Sequence, residues 1–197
     1  VTRRRTQRIL RGALLALAIG AAGCGGTTGE DRPDRTVTLL LDGRPAGVHA
    51  GIYSAARRGY DEAEGVRLRI RPPRRPRPGE LAIVDPARAR GLVAVMAITQ
   101  RPPLRLLATP QATIDDEPAV VRATVRALQR GYGLTLEDPQ SSAQDLLAAD
   151  PELDSAAVTR QLDTLDTAFL GPSGRFGTLD PGTLRRAGVT FDARFVR

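Results

Sequence analysis

Lysine is absent, and all 29 basic residues of this 197-residue chain are arginine. Without a lysine amine the chain cannot form a Schiff base with a carbonyl substrate or with pyridoxal phosphate, which removes that class of covalent catalysis. Tryptophan is absent too, and three tyrosines and four phenylalanines are the only aromatics, so the core must be built from Leu, Val and Ala. There is one cysteine, Cys24, and one histidine, His49. A single cysteine makes no internal disulfide. One His and one Cys supply neither a Cys/His dyad nor a His/Cys metal cluster. Ser54 lacks the G-x-S-x-G turn of a serine nucleophile. The many carboxylates form no recognisable catalytic pair, and the glycine-rich run 23–29 precedes no helix and is no phosphate loop. The chain reads as a binding protein rather than an enzyme, with no cofactor and no metal.

Positive charge is concentrated at one end. Arg3, Arg4, Arg5, Arg8 and Arg11 precede a short apolar stretch, Ala13 to Gly20, and then Ala21-Ala22-Gly23-Cys24. This is the pattern of a secretory signal, too short to span a bilayer. The cysteine behind small residues resembles a bacterial lipobox, which implies removal of residues 1–23, acylation of Cys24 and an anchor on the extracytoplasmic face of the cell membrane. Removing five arginines and no acid leaves 24 arginines against 22 acids, a net charge of +2 instead of +7. With arginine-only usage read as codon bias, nothing then points to nucleic acid. Cys24→Ser is expected to release the protein from membranes, and retention of that variant in the detergent phase on partitioning would contradict the anchor.

Residues 24–35 are polar and glycine-rich, a flexible tether. The remainder, 36–197, reads as one domain. Apolar runs predict strands near 37–41, 81–84 and 92–98, and Val66, Leu68 and Ile70 alternate with Arg67 and Arg69 as in a strand with one solvated face. A helix is expected from about His49 to Arg58, stopped by Gly59. The run RPPRRPRP, 71–78, reads as an extended connector. Asp85-Pro86 opens a short helix through Arg90, and Leu104 to Ala108 is apolar again after the turn TQRPP. The C-terminal half is mostly helical, with helices near 118–134, 139–149 and 154–169, and Asp180-Pro181 a further opening. In the third of these, Val158, Leu162, Leu165 and Phe169 share one face. The fold class is α/β, a mainly parallel sheet with C-terminal helices.

The most informative stretch is Thr36 to Tyr60. A strand ends in a carboxylate, Asp42, a Gly/Pro loop follows, and His49 and Tyr53 stand four residues apart at the start of a helix. Ligands of parallel α/β sheets bind where strands end and helices begin. Asp42, His49 and Tyr53 are therefore the candidate ligand-binding residues, expected to line one concave site. Asp42 is suited either to accept from a ligand amine or to hold its own loop. His49 is suited to bond a ligand or to cap the helix, and Tyr53 to stack on a ring or to pack on the helix face.

These residues resemble the opening of the SsuA/THI5-like (NMT1-type) substrate-binding proteins, roughly LDW-x-P-N-x-x-H-x-G-x-Y. Asp42, Pro45, His49, Gly51 and Tyr53 stand at the matching places, with Gly43 where the family usually has Trp and Ala46 where it has Asn. GLVAVMAITQRPP and the stretch from Asp116 to Asp154 are similar to later parts of the family, in the same order. The resemblance implies a periplasmic-binding-protein-II-like fold and a solute-binding lipoprotein of an ABC importer. Its partners would be a permease and a thiamine pyrimidine precursor or similar small heteroaromatic. Family members have two lobes, and the segment that would form the second is missing between Ala108 and Asp115, so a single lobe and weak binding are expected, no tighter than roughly millimolar. Two alternatives differ in class: a truncated lobe that no longer binds solute and serves as an interaction module, and a THI5-type pyrimidine synthase, disfavoured by the missing lysine.

Overall fold

Arg35–Leu40 forms strand β1, with Val37, Leu39 and Leu40 fully buried. It lies at the heart of a computed structural model that describes residues 35–171 and 173–195. The expected signal segment, Cys24 and the tether up to residue 34 lie outside the described residues.

β1 pairs in parallel with β2, Val66–Arg71, on one side and with β3, Glu80–Val84, on the other. β2 carries the expected alternation, Val66 and Leu68 inward and Arg67 and Arg69 in solvent. β4, Val93–Thr99, is buried along its whole length. β5, Arg105–Thr109, runs antiparallel between β3 and β4, and a two-residue strand β6, Thr190–Phe191, adds in parallel to β4. The order is β2-β1-β3-β5-β4-β6, a mainly parallel mixed sheet in a single α/β lobe. The reversal of β5 has a simple cause: the turn TQRPP is far too short for the crossover that a parallel neighbour requires.

The helices are α1, Ala50–Arg57; α2, Gln111–Asp116; α3, Pro118–Glu137; α4, Pro139–Ala149; α5, Ser155–Leu170; and α6, Pro181–Arg186. Asp138, Asp154 and Asp180 cap α4, α5 and α6, each accepting a backbone N–H of the first turn. α2 was not expected from the sequence, being only six residues long and without apolar periodicity. Glu117, at the start of α3, makes no cap bond and accepts instead from the Arg35 guanidinium, fastening the helix to the start of β1.

One face of the sheet is covered by α1 and α3. Val121, Val125 and Leu128 of α3 pack on Val37, Leu39, Ile83 and Val95. Tyr132 extends this core into an aromatic cluster, its ring 4.6 Å from Phe176 and 5.5 Å from Phe169. α1 and α3 approach so closely that glycine is required at both crossing points. A Cβ at Gly51 would strike the Tyr132 ring, and one at Gly131 would strike the Gly51 carbonyl oxygen. α4 and α5 join the same lobe through Ala50, Leu146, Val158 and Leu162. The opposite face of the sheet is covered by α6 and the 85–92 segment, with Leu92, Leu179 and Leu184 against Leu40, Ala82 and Leu106. No helix among the described residues is long and apolar enough to cross a membrane.

The two connections that would normally carry helices, 72–79 after β2 and 85–92 after β3, contain only the 3-10 turn Pro86–Arg88. A crossover usually lays a helix over the sheet. Here extended, proline-rich chain takes its place and leaves the ends of β1 and β3 partly open.

Candidate functional site

At the carboxyl end of β1 the chain turns through Asp42, and both carboxylate oxygens are engaged. Oδ1 accepts from His49 Nε2 at 2.7 Å, and Oδ2 accepts from Arg105 Nε. Arg105 opens β5, and because β5 is reversed its first residue stands at the same edge of the sheet as the last residues of β1 and β3. His49 is 2% exposed, and its Nδ1 accepts from the Ala46 backbone N–H at 3.2 Å. An acceptor Nδ1 carries no proton, so Nε2 bears it and donates to Asp42. Burial pushes the Asp42 carboxyl up, but the His49 hydrogen bond and the Arg105 guanidinium more than offset it and hold the group below its ordinary value of 3.8.

The loop 43–49 is fixed from three directions. Asp42 and His49 clasp it from within, the Tyr132 hydroxyl donates to the Val48 carbonyl at 2.7 Å, and the Gly47 N–H donates to Gln161 Oε1 of α5 at 2.7 Å. Gly47 admits this contact because a Cβ there would lie 2.8 Å from Gln161 Cβ. α5 is also fastened to the end of β4. The Gln100 backbone N–H donates to the Ala168 carbonyl at 2.7 Å, and its side-chain amide donates to the Phe169 carbonyl at 2.8 Å.

Two hollows flank the Asp42–Arg105 pair. On the Arg105 side is a groove of about 310 Å³, walled by Ala46 and Val48 of the loop, Thr99 and Pro103 at the β4–β5 turn, and Gln161, Thr164 and Leu165 of α5. Its walls are mainly apolar. On the Asp42 side is a larger cavity of about 540 Å³, over Leu41, Ile83 and Val84 and beneath the two helix-free connections. It lies between the carboxyl ends of β1 and β3, where β1 leads outward to β2 and the chain returns to the other side. Such a reversal of strand order is where open α/β sheets bind ligands.

Of the three residues singled out in the sequence, Asp42 and His49 are together and Tyr53 is elsewhere. Asp42 borders the larger cavity, whereas His49 lies behind it as a buried partner. Tyr53 is half-buried and packs against both the main core and the cluster of Ala50, Leu146, Val158 and Leu162. Burial and the nearby Asp150 charge push its hydroxyl up. Neither hollow is lined by all three residues: Asp42 borders the larger one, and His49 and Tyr53 line neither. His49 closes the 3-10 turn Gly47–His49 and is the residue from which α1 starts, at Ala50.

Sequence reasoning missed Arg105, Gln161 and the arginines of the larger cavity. Arg105 stands 63 residues from Asp42, and no local pattern links them. The arginines do leave a signal, in RPPRRPRP and PARARG, but an extended connector accounts equally well for the first. Compared with known proteins, the chain matches no family model and no curated protein sequence.

Proposed function

We propose that this domain is the ligand-binding lobe of a surface-anchored solute receptor serving an importer. Its solute is a small heteroaromatic of the thiamine-pyrimidine kind, seated in the groove beside Arg105. The observation that carries this reading is the groove itself: apolar walls at the strand-end edge, with one planar cation held in place by a carboxylate behind it. Its volume falls at the small end of ligand pockets, which are typically ~300–1,000 Å³. A guanidinium stacks well on flat rings, so Arg105 supplies the platform that Gly43, with open space around its Cα, does not. The side-chain N–H groups of Gln161, whose oxygen is held by Gly47, offer donors for the edge of the ring, and the exposed Thr164 hydroxyl, whose own proton goes to the Arg160 carbonyl, offers an acceptor. Both oxygens of Asp42 are engaged, so it acts on the solute by positioning Arg105 rather than by accepting from a ring amine. The groove is open on one side, and closure over the ligand, the usual source of tight binding in two-lobed receptors, is not available to one lobe. Affinity is therefore expected near millimolar, worth about 4 kcal/mol.

Thr164 is exposed on α5, and Thr164→Phe fills the groove without touching the core. The variant is expected to keep its melting temperature and to lose aminopyrimidine binding in calorimetry. Unchanged binding in a folded variant would place the solute elsewhere.

A further inference from the structure

The larger cavity has a chemistry of its own. Arg74 and Arg75 reach it from the 72–79 connection, and Arg88 and Arg90 from the 85–92 connection. Arg74 is neutralised by a two-point bond to Glu80, with both distances 2.6 Å. Arg88 stands 3.7 Å from Asp85, a loose pair, and donates at 3.4 Å to the Asp42 carbonyl. Arg75 and Arg90 have no carboxylate within salt-bridge distance among the described residues. Asp42 is the only acid on the wall, and its oxygens are committed to His49 and Arg105. The hollow therefore carries an uncompensated positive charge on two opposed segments.

The arginines are also placed. Pro73 and Pro76 restrict the backbone on both sides of Arg74-Arg75, and Pro76 is buried, which anchors the segment. The Arg75 guanidinium lies against Gly91, its Nη2 3.2 Å from where a side chain would begin, so the absence of a side chain there seats it. Guanidinium forks match the geometry of phosphate and carboxylate oxygens, and a concave, low-dielectric wall concentrates their field.

We propose that this cavity is a second binding site, for a compact phosphate-bearing anion, held between Arg75 and Arg90 with Arg88 in support. Phosphate carries more charge than a single carboxylate and meets two guanidiniums at once, which suits two unpaired arginines facing one hollow. The floor of Leu41, Ile83 and Leu92 accommodates a small organic body attached to it. The site does not depend on the solute groove, since the Asp42–Arg105 pair stands between them.

The test is calorimetric titration of the full chain with inorganic pyrophosphate at about 0.15 M salt, repeated at higher salt, where screening weakens such contacts. Saturable one-site binding is expected, with a Kd of about 0.1–1 mM. In Arg75→Ala/Arg90→Ala it should weaken at least tenfold, and rising salt should weaken it in the parent chain. Both arginines are exposed, so the double variant should melt as the parent does. If it does not fold, Ala87→Trp, which blocks the exposed mouth of the cavity, should give the same loss. Absence of saturable binding, or binding that survives both changes, overturns the proposal. Sedimentation with phosphatidylglycerol vesicles separates a solute from a lipid headgroup. Failure to bind pyrophosphate, together with vesicle binding that falls in the double variant, would assign the arginines to a membrane surface and overturn a cavity site.

Discussion

Gly131→Ala is expected to destabilise the domain strongly, whereas Gly133→Ala, two residues along the same helix, is expected to stabilise it. The two positions share a helix and differ only in what a methyl group meets. At 131 it would strike the Gly51 carbonyl oxygen and lie 2.9 Å from Ala55 Cβ, so α1 and α3 must separate. At 133 nothing stands within 4 Å. Relief of glycine's helix penalty favours alanine by about 1 kcal/mol at either site. At 131 the overpacking cost of ~3 kcal/mol or more exceeds that gain, giving a net loss of about 2 kcal/mol. With a domain of this size shifting ~2–4 °C per kcal/mol, thermal unfolding should show Gly131→Ala melting lower by roughly 4–8 °C and Gly133→Ala melting higher by about 2–4 °C. Equal shifts in the same direction would mean that the α1–α3 crossing is not as close as described.

Asp42→Ala is expected to cost about 2–4 kcal/mol, because it leaves a buried imidazole N–H without its acceptor and a partly buried guanidinium without its counter-charge. It should also free Arg105 and weaken solute binding, although Asp42 does not line the groove. The pH dependence has a definite sign. The folded carboxyl titrates below its ordinary 3.8, so ionised Asp42 stabilises the fold in full above that value. The contribution is lost as pH falls through the lowered folded value. Asp42→Asn cannot ionise and has no such loss. In urea unfolding it should be less stable than the parent at pH 7, and the gap should narrow below pH 3.8. A gap that stays constant with pH would show that the Asp42 charge adds nothing to the clasp.

The fold was legible wherever one segment carried its own signal. β2 is legible in arginine alternating with Val, Leu and Ile, α4 in the Asp138-Pro139 that opens it, and α5 in Asp154 ahead of the apolar stripe Val158, Leu162, Leu165 and Phe169. The site was legible only in part, because its geometry depends on contacts between distant segments. Asp42 was identifiable as the end of a strand, but its occupation by Arg105 follows from the reversal of β5. Tyr53 lines neither hollow, and four-residue spacing from His49 does not reveal this because both hollows are walled by distant segments. The basic cavity arises from two connectors that each look like solvent-exposed chain and acquire meaning only where they meet. Short elements without periodicity, α2 and β6, were invisible because nothing in six or two residues distinguishes them from loop.

The central claim is that the groove beside Arg105 is where this lobe meets its solute. Backbone amide NMR of the full chain during titration with an aminopyrimidine tests it most directly. Saturable shifts with a Kd of about 1 mM are expected, concentrated at residues 46–48, 99–105 and 161–165 and lost in Thr164→Phe. Saturable shifts clustered around Tyr53 and α4 instead, or no saturation at concentrations well above that Kd, would contradict it.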